Sequence, residues 1–209
     1  MMKNNRRLSK AVKRTVFVGV GLFLLFIGIS LFFQRFMLTQ PDSQTGPIIS
    51  EQVLDYRPLV VKYAKKYEVE EHVDTLLAMM MQESSGQGDD PMQSSESYCG
   101  ERGCIQDPEV SIKQGVYYFS QTLKAAGGDV LTAIQSYNFG KGFVDYIREQ
   151  GDDFSQEAAI QFSQKMYAAD PDKEKYRCLR DGAQELDACY GDIYYVKSVM
   201  AYKDKLKED

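Results

Sequence analysis

Met79 to Ser95 reads MMMQESSGQGDDPMQSS, an apolar run that meets a single glutamate and passes at once into a Gly-rich, acidic loop. Leu76, Leu77, Met80 and Met81 recur at the spacing of one helix face, which predicts a helix starting near Val73. Glu83 follows Met80, Met79 and Leu76 by three, four and seven residues, so it falls on the same apolar stripe. A carboxyl held against apolar side chains loses its hydration and its pKa rises, so it keeps a proton nearer neutral pH and can act as a general acid. The plainer reading is a glutamate capping a frayed helix end in water. Charged residues are rarely placed on an apolar face without a reason, which favours the chemical reading.

Working outward, the chain beyond residue 50 reads as almost entirely helical. Val53, Tyr56, Val60, Tyr63 and Tyr67 space as one face, with Pro58 marking a start or a kink. Asp107 and Pro108 read as N-cap and first turn of a helix turning Ile112, Val116, Phe119 and Leu123 inward, stopped by Gly127 and Gly128. Asp129 opens the next, with Val130, Ala133, Ile134 and Tyr137 inward, running into Asn138 and Gly140. Shorter helices are expected at Phe143 to Glu149 and Ser155 to Ala168, and a last one with Ile193, Val196, Val199 and Met200 inward. No alternating strand stands out, apart from possible short pairings within 94–106 and 170–191. The expected fold class is mainly α, a compact helical domain with one long active-site loop.

Residues 1–15 carry six basic residues and no acid, and Val16 to Phe33 is an uncharged run of 18 residues. That is the length of a membrane helix, and the positive flank places the head in the cytoplasm and the rest of the chain outside. A cleaved signal peptide would have a shorter apolar core and a small-residue cleavage site, whereas this run ends in FFQRFML. The expected organisation is a basic head (1–15), a transmembrane anchor (16–38), a polar linker (39–50) and an extracellular domain (51–209). Fully extended, the linker reaches only about 40 Å, which keeps the domain near the membrane face. Residues 36–209 hold 18 basic residues against 30 acids, a formal charge of −12 that argues against nucleic acid as a partner.

All four cysteines lie on the oxidising side in this topology. Of three possible pairings, the local one is preferred, Cys99 with Cys104 and Cys178 with Cys189. The spacing is not that of a metal knuckle and the single histidine, His72, sits at a helix entry, so no metal and no cofactor are expected.

Gln82-Glu83-Ser84, Pro91-Met92-Gln93 and Ser136-Tyr137-Asn138-Phe139-Gly140 together resemble the motifs of the lysozyme-like fold shared by goose-type lysozymes and soluble lytic transglycosylases. The longer run from Glu83 through DPMQSSES, with IKQGVYYF and IQSYNFG after it, resembles more closely the bacterial lysozyme-like domain of Gram-positive cell-wall hydrolases. The resemblance covers about residues 50–204. It implies a lysozyme-like helical domain that cleaves the β-1,4 bond between N-acetylmuramic acid and N-acetylglucosamine in peptidoglycan, with Glu83 protonating the leaving oxygen. By the same carry-over Ser84, Met92 and Gln93 belong to the substrate groove, and Tyr137 and Asn138 hold the sugar and the carboxylate. Without the motif set, Asn138 and Gly140 would read as an ordinary helix stop.

Asp90, seven residues after Glu83, is the place at which the resemblance puts a second carboxylate; the alternative is a plain Asp-Pro turn. With a second carboxylate the reaction is hydrolysis, and without one the muramic acid 6-hydroxyl closes to an anhydro sugar. Soluble transglycosylases carry Gly-Leu where this chain has Asp90-Pro91 before Met-Gln, so their mechanism does not transfer directly. Expected partners are peptidoglycan strands, the cytoplasmic membrane and proteins of division or secretion. A cysteine peptidase activity is not expected, because His72 has no nucleophilic partner in the pattern. The reading from another class is a membrane-tethered wall-binding scaffold with little catalysis.

Overall fold

The computed structural model describes residues 48–151, 153–178 and 180–208. The expected head and transmembrane anchor, and the linker before residue 48, lie outside them. No helix among the described residues is long and apolar enough to cross a membrane.

Every regular element among the described residues is helical: α1 (Glu51–Asp55), α2 (Arg57–Lys66), a 3-10 turn (Glu70–His72), α3 (Val73–Ser84), α4 (Ser95–Cys99), α5 (Pro108–Ala125), α6 (Val130–Phe139), α7 (Gly142–Gln150), α8 (Gln156–Ala169) and α9 (Tyr195–Glu208). Side-chain oxygens close the N-termini of α1, α5, α6 and α8. Ser50 accepts from the Val53 N–H, Asp107 from Glu109, Asp129 from Leu131 and Thr132, and Ser155 from Ala158. Pro58 occupies the first turn of α2, where its missing N–H costs nothing, so the stretch from Val53 to Tyr67 is two helices broken at Tyr56.

α3 is the axis of the fold. Thr75 through Met81 are all buried, so the helix is covered on every side rather than along the single stripe its periodicity suggested. It packs mainly on α9, and also against α2 and α1, while α5 lies against α2 and α6. Ser50 ties the entry of the domain to the exit of α3 by donating to the Ser85 carbonyl at 2.7 Å. Met79, Met80, Leu76, Leu77, Ile112, Val116, Phe119, Ile134 and Val199 form one core around it. A second, aromatic core of Phe139, Phe143 and Phe162 with Ile147 and Ile193 lies under α7 and α8. Ile193 therefore belongs to the segment before α9 and not, as expected, to that helix's inner face. Among the described residues of 94–106 and 170–191 there is no strand pairing: the first segment contains α4 and the second shows turns.

Gly115, inside α5, is where the helix passes closest to the loop after α3. A Cβ there would lie 2.6 Å from Met92 Cβ and 2.8 Å from the Tyr137 hydroxyl. Neither neighbour has an easy way to yield, since one is fixed to backbone and the other is hydrogen-bonded to it. Gly115→Ala is therefore expected to destabilise the fold despite the better helix propensity of alanine, by about 1–3 kcal/mol as for an overpacked core. Denaturant unfolding of the two proteins checks this; equal stability would show that α5 and the loop separate freely.

Candidate active site

Glu83 occupies the last turn of α3, and the chain leaves through Ser85 in a left-handed conformation (φ 57°). One hydrogen bond reaches its Oε1, 2.6 Å long, donated by the hydroxyl of the buried Tyr195 in the first turn of α9. Burial strips water from the carboxyl and pushes its pKa upward; the Tyr195 bond opposes this, and the negative charges of Asp192 and Asp90 add to it. The outcome is a rise from 4.5 to about 7. Burial first, and then Glu83's own charge, raise the phenols of Tyr195 and Tyr137 well above their ordinary range, so both stay protonated and act as donors.

The loop after α3 is folded around Asp90. Its Oδ1 accepts from the Ser111 hydroxyl at 2.6 Å and the Ser94 N–H at 2.9 Å, and its Oδ2 from the Ser95 hydroxyl at 2.6 Å and the Ser95 N–H at 3.0 Å. Burial alone would raise this carboxyl, but the hydroxyl and amide donors outweigh it and hold the pKa below the usual value. Asp90 is thus a hub whose charge its donors favour, joining the loop, α4 and α5. Ser84 completes the loop by donating to the Pro91 carbonyl at 2.8 Å while accepting from the Gly86 N–H at 3.0 Å.

The remaining motif residues divide between scaffold and surface. Met92 has no exposed area: its N–H donates to the Ser111 hydroxyl at 3.0 Å and its carbonyl accepts from the Tyr137 hydroxyl at 2.8 Å. Its side chain therefore cannot line a groove as the sequence suggested, and it anchors the loop instead. Gln93 is exposed, held at φ 47°, and donates to the Asp90 carbonyl at 3.0 Å. Gln93, Tyr137 and Asn138 share an open groove of about 280 Å³ with Glu96, Tyr118 and Tyr190. Glu83 is not in the wall of that groove. Tyr137 connects the two, because it lines the groove and lies in the field of both Glu83 and Asp90.

All four disulfide candidates are paired: Cys99 is bonded to Cys104, and Cys178 to Cys189. Among the described residues no group of His, Cys, Asp or Glu is arranged to hold a metal ion. The sequence reading passed over Tyr195, Asp192 and Ser111. Tyr195 and Ser111 sit in ordinary helical patterns, and nothing local marks them as partners of carboxylates 112 and 21 residues away.

A lysozyme-like family model matches residues 50–203. The chain belongs to the lysozyme-like family. Among its relatives, the uncharacterized membrane protein YocA of Bacillus subtilis is 36% identical over 210 residues, covering 99% of this chain and 91% of YocA. The bifunctional muramidase/DL-endopeptidase CwlT of the same organism is 37% identical over 154 residues, 74% of this chain. The pneumococcal vaccine antigen A homolog of Streptococcus pyogenes serotype M1 is 39% identical over 121 residues, 56% of this chain. A crystal structure from Staphylococcus aureus subsp. aureus Mu50, described as similar to lipoprotein of the NLP/P60 family, superposes with a TM-score of 0.65 at 37% identity over 75% of this chain. The lysozyme-like chain spans 42% of CwlT, 61% of the streptococcal protein and 54% of the staphylococcal one.

Both carboxylates carry stability consequences that can be measured. Glu83 is raised in the folded state, so its contribution is fully present below pH 4.5 and is lost as pH rises through about 7. Relative to Glu83→Gln, the parent protein is expected to lose roughly 3 kcal/mol across that window. Urea unfolding at several pH values checks it, and a pH-independent difference would contradict the desolvated site. Asp90→Asn replaces an acceptor with a donor facing donors and is expected to cost about 1–3 kcal/mol at neutral pH; unchanged stability would mean that the loop does not depend on it.

Proposed function

We propose that this protein is a membrane-anchored glycosidase of the bacterial cell wall, cutting the β-1,4 bond between N-acetylmuramic acid and N-acetylglucosamine in peptidoglycan with Glu83 as general acid. The observation that carries the reading is the Glu83 carboxyl, desolvated to a pKa of about 7 and fixed by one short bond from Tyr195. The kinship with CwlT, whose name includes a muramidase activity, supports the substrate class. The apolar run at Val16 to Phe33, and the description of YocA as a membrane protein, support the anchor.

In this mechanism the protonated Glu83 gives its proton to the glycosidic oxygen as the bond to the anomeric carbon breaks. Tyr195 remains bonded to the carboxyl and stabilises the carboxylate left behind. Gln93 and Asn138 offer polar groups to the sugar from the groove, and Tyr137 joins that groove to the acid. Asp90, kept ionised by its serine donors, supplies negative charge to the oxocarbenium-like transition state. Because both of its oxygens are engaged, its contribution is that field and the shape of the loop. The carbon is then closed by water, giving a reducing muramic acid, or by the sugar's own 6-hydroxyl, giving the 1,6-anhydro product.

The test is mass spectrometry of muropeptides released from purified sacculi by the full chain, with Glu83→Gln and Asp90→Asn beside it. Release is expected to disappear with Glu83→Gln and to fall off in the parent as pH rises through about 7, where the acid loses its proton. Reducing ends lost in both variants identify a hydrolase that needs two carboxylates, and anhydro ends lost only with Glu83→Gln identify a transglycosylase. Sacculi left intact by the parent protein would overturn the glycosidase reading and leave a wall-binding scaffold.

A further inference from the structure

Asp192 lies in the segment between the Cys178–Cys189 loop and α9, and it is hydrogen-bonded to α3, to α6 and to the residue that precedes α9. Its Oδ2 accepts from the Gln82 amide of α3 at 3.3 Å, one residue from the acid itself. Its carbonyl accepts from the Gln135 amide of α6 at 2.9 Å, and its N–H donates to Asn138 Oδ1 of the same helix at 2.7 Å. Its Oδ1 accepts from the Tyr194 N–H at 2.9 Å, at the threshold of α9 and beside Tyr195. The counter-charge is Arg180, whose guanidinium forms an ion pair with Asp192 Oδ2. Arg180 lies inside the disulfide-closed loop, so the bond between Cys178 and Cys189 keeps that guanidinium close. The Asp192 side chain is only 14% exposed, which limits screening of the pair by solvent.

We propose that Asp192, locked in place by Arg180, is a positioning residue for Glu83, holding the end of α3 against α6 and α9 and placing a tempered negative charge beside the acid. Four groups face Glu83: Tyr195 from α9, Tyr137 from α6, Asp90 from the loop after α3, and Asp192 from the segment before α9. The two tyrosines are neutral donors and Asp90 is bound by its serines. Asp192 is the one of the four whose charge is balanced by a partner on a separate, covalently closed loop. Gly191 fits the same picture: at φ +63°, a Cβ there would come within 2.8 Å of Asn138 Oδ1 and 2.6 Å of Phe139, so the chain is pressed against the end of α6. Removing the Asp192 charge lets Glu83 ionise more readily; removing Arg180 leaves that charge unbalanced and holds the proton on Glu83 more tightly.

This inference rests on the reading of Glu83 as the acid, but its test does not require activity. The full chain carrying carboxyl-labelled glutamate is titrated by 13C NMR across neutral pH, with Glu83→Gln identifying the resonance. Asp192→Asn, which keeps the shape, is expected to lower the Glu83 midpoint, and Arg180→Gln to raise it, each by roughly half to one pH unit for a charge at this range. Arg180→Lys is expected to return the midpoint most of the way. The alkaline limb of muropeptide release should move in the same two directions. Midpoints that stay put, or that move the same way in both variants, would overturn the proposal, and Arg180→Gln decides it alone if Asp192→Asn does not fold. A parent protein that releases no muropeptides would sink the glycosidase reading while the NMR midpoints still judge this one.

Discussion

The carboxyl of Glu83 is half-buried at the end of α3, which costs it much of its hydration, and it receives one hydrogen bond in return, from Tyr195. A carboxylate in that position costs several times what one neutral donor restores, so the group holds its proton to about neutral pH. Keeping water away requires apolar cover on every side of α3, which the methionines and leucines from Leu76 to Met81 and the facing α9 supply. The helical shell sets a half-buried carboxyl at the end of a buried helix.

The two other carboxylates nearby are handled in the opposite way. Asp90 is surrounded by serine hydroxyls and backbone amides that favour its charge, and it stays ionised while shaping the loop. Asp192 is met by a guanidinium, three amide side chains and one backbone N–H. Two acids within one neighbourhood, Asp90 and Glu83, are therefore separated in proton affinity by their partners: hydroxyls and amides for the first and mainly apolar surface for the second. That separation is the pattern by which one acid is kept loaded beside charged neighbours.

The groove and the acid are distinct features joined by Tyr137. Its ring meets Tyr118 edge-on and borders the groove, and its hydroxyl fixes the Met92 carbonyl under the loop. Met92 shows how motif reading misleads about role. Its place in the pattern is beside the groove, yet its side chain is packed against Gly115 in the core. The motif is kept together by backbone geometry and burial as much as by contact with a ligand.

The helical periodicity, the N-caps at Asp107 and Asp129, the position of Pro108 and the apolar run leading to Glu83 were all legible in the amino-acid sequence. Each is a local property that depends on neighbours within a turn or two. The Gln-Glu-Ser, Pro-Met-Gln and Ser-Tyr-Asn-Phe-Gly motifs were enough to place the chain in its family. The sequence could not show that α3 is covered on all sides, that Met92 is buried, or that Tyr195 and Asp192 are the companions of Glu83. Those facts depend on which helices meet, and the contacts join residues about 110 positions apart. Desolvation is likewise a property of the assembled shell, since no neighbour in sequence can exclude water from a carboxyl at a helix end. The sequence therefore determined which group could be the acid, and only the tertiary structure decided its proton affinity.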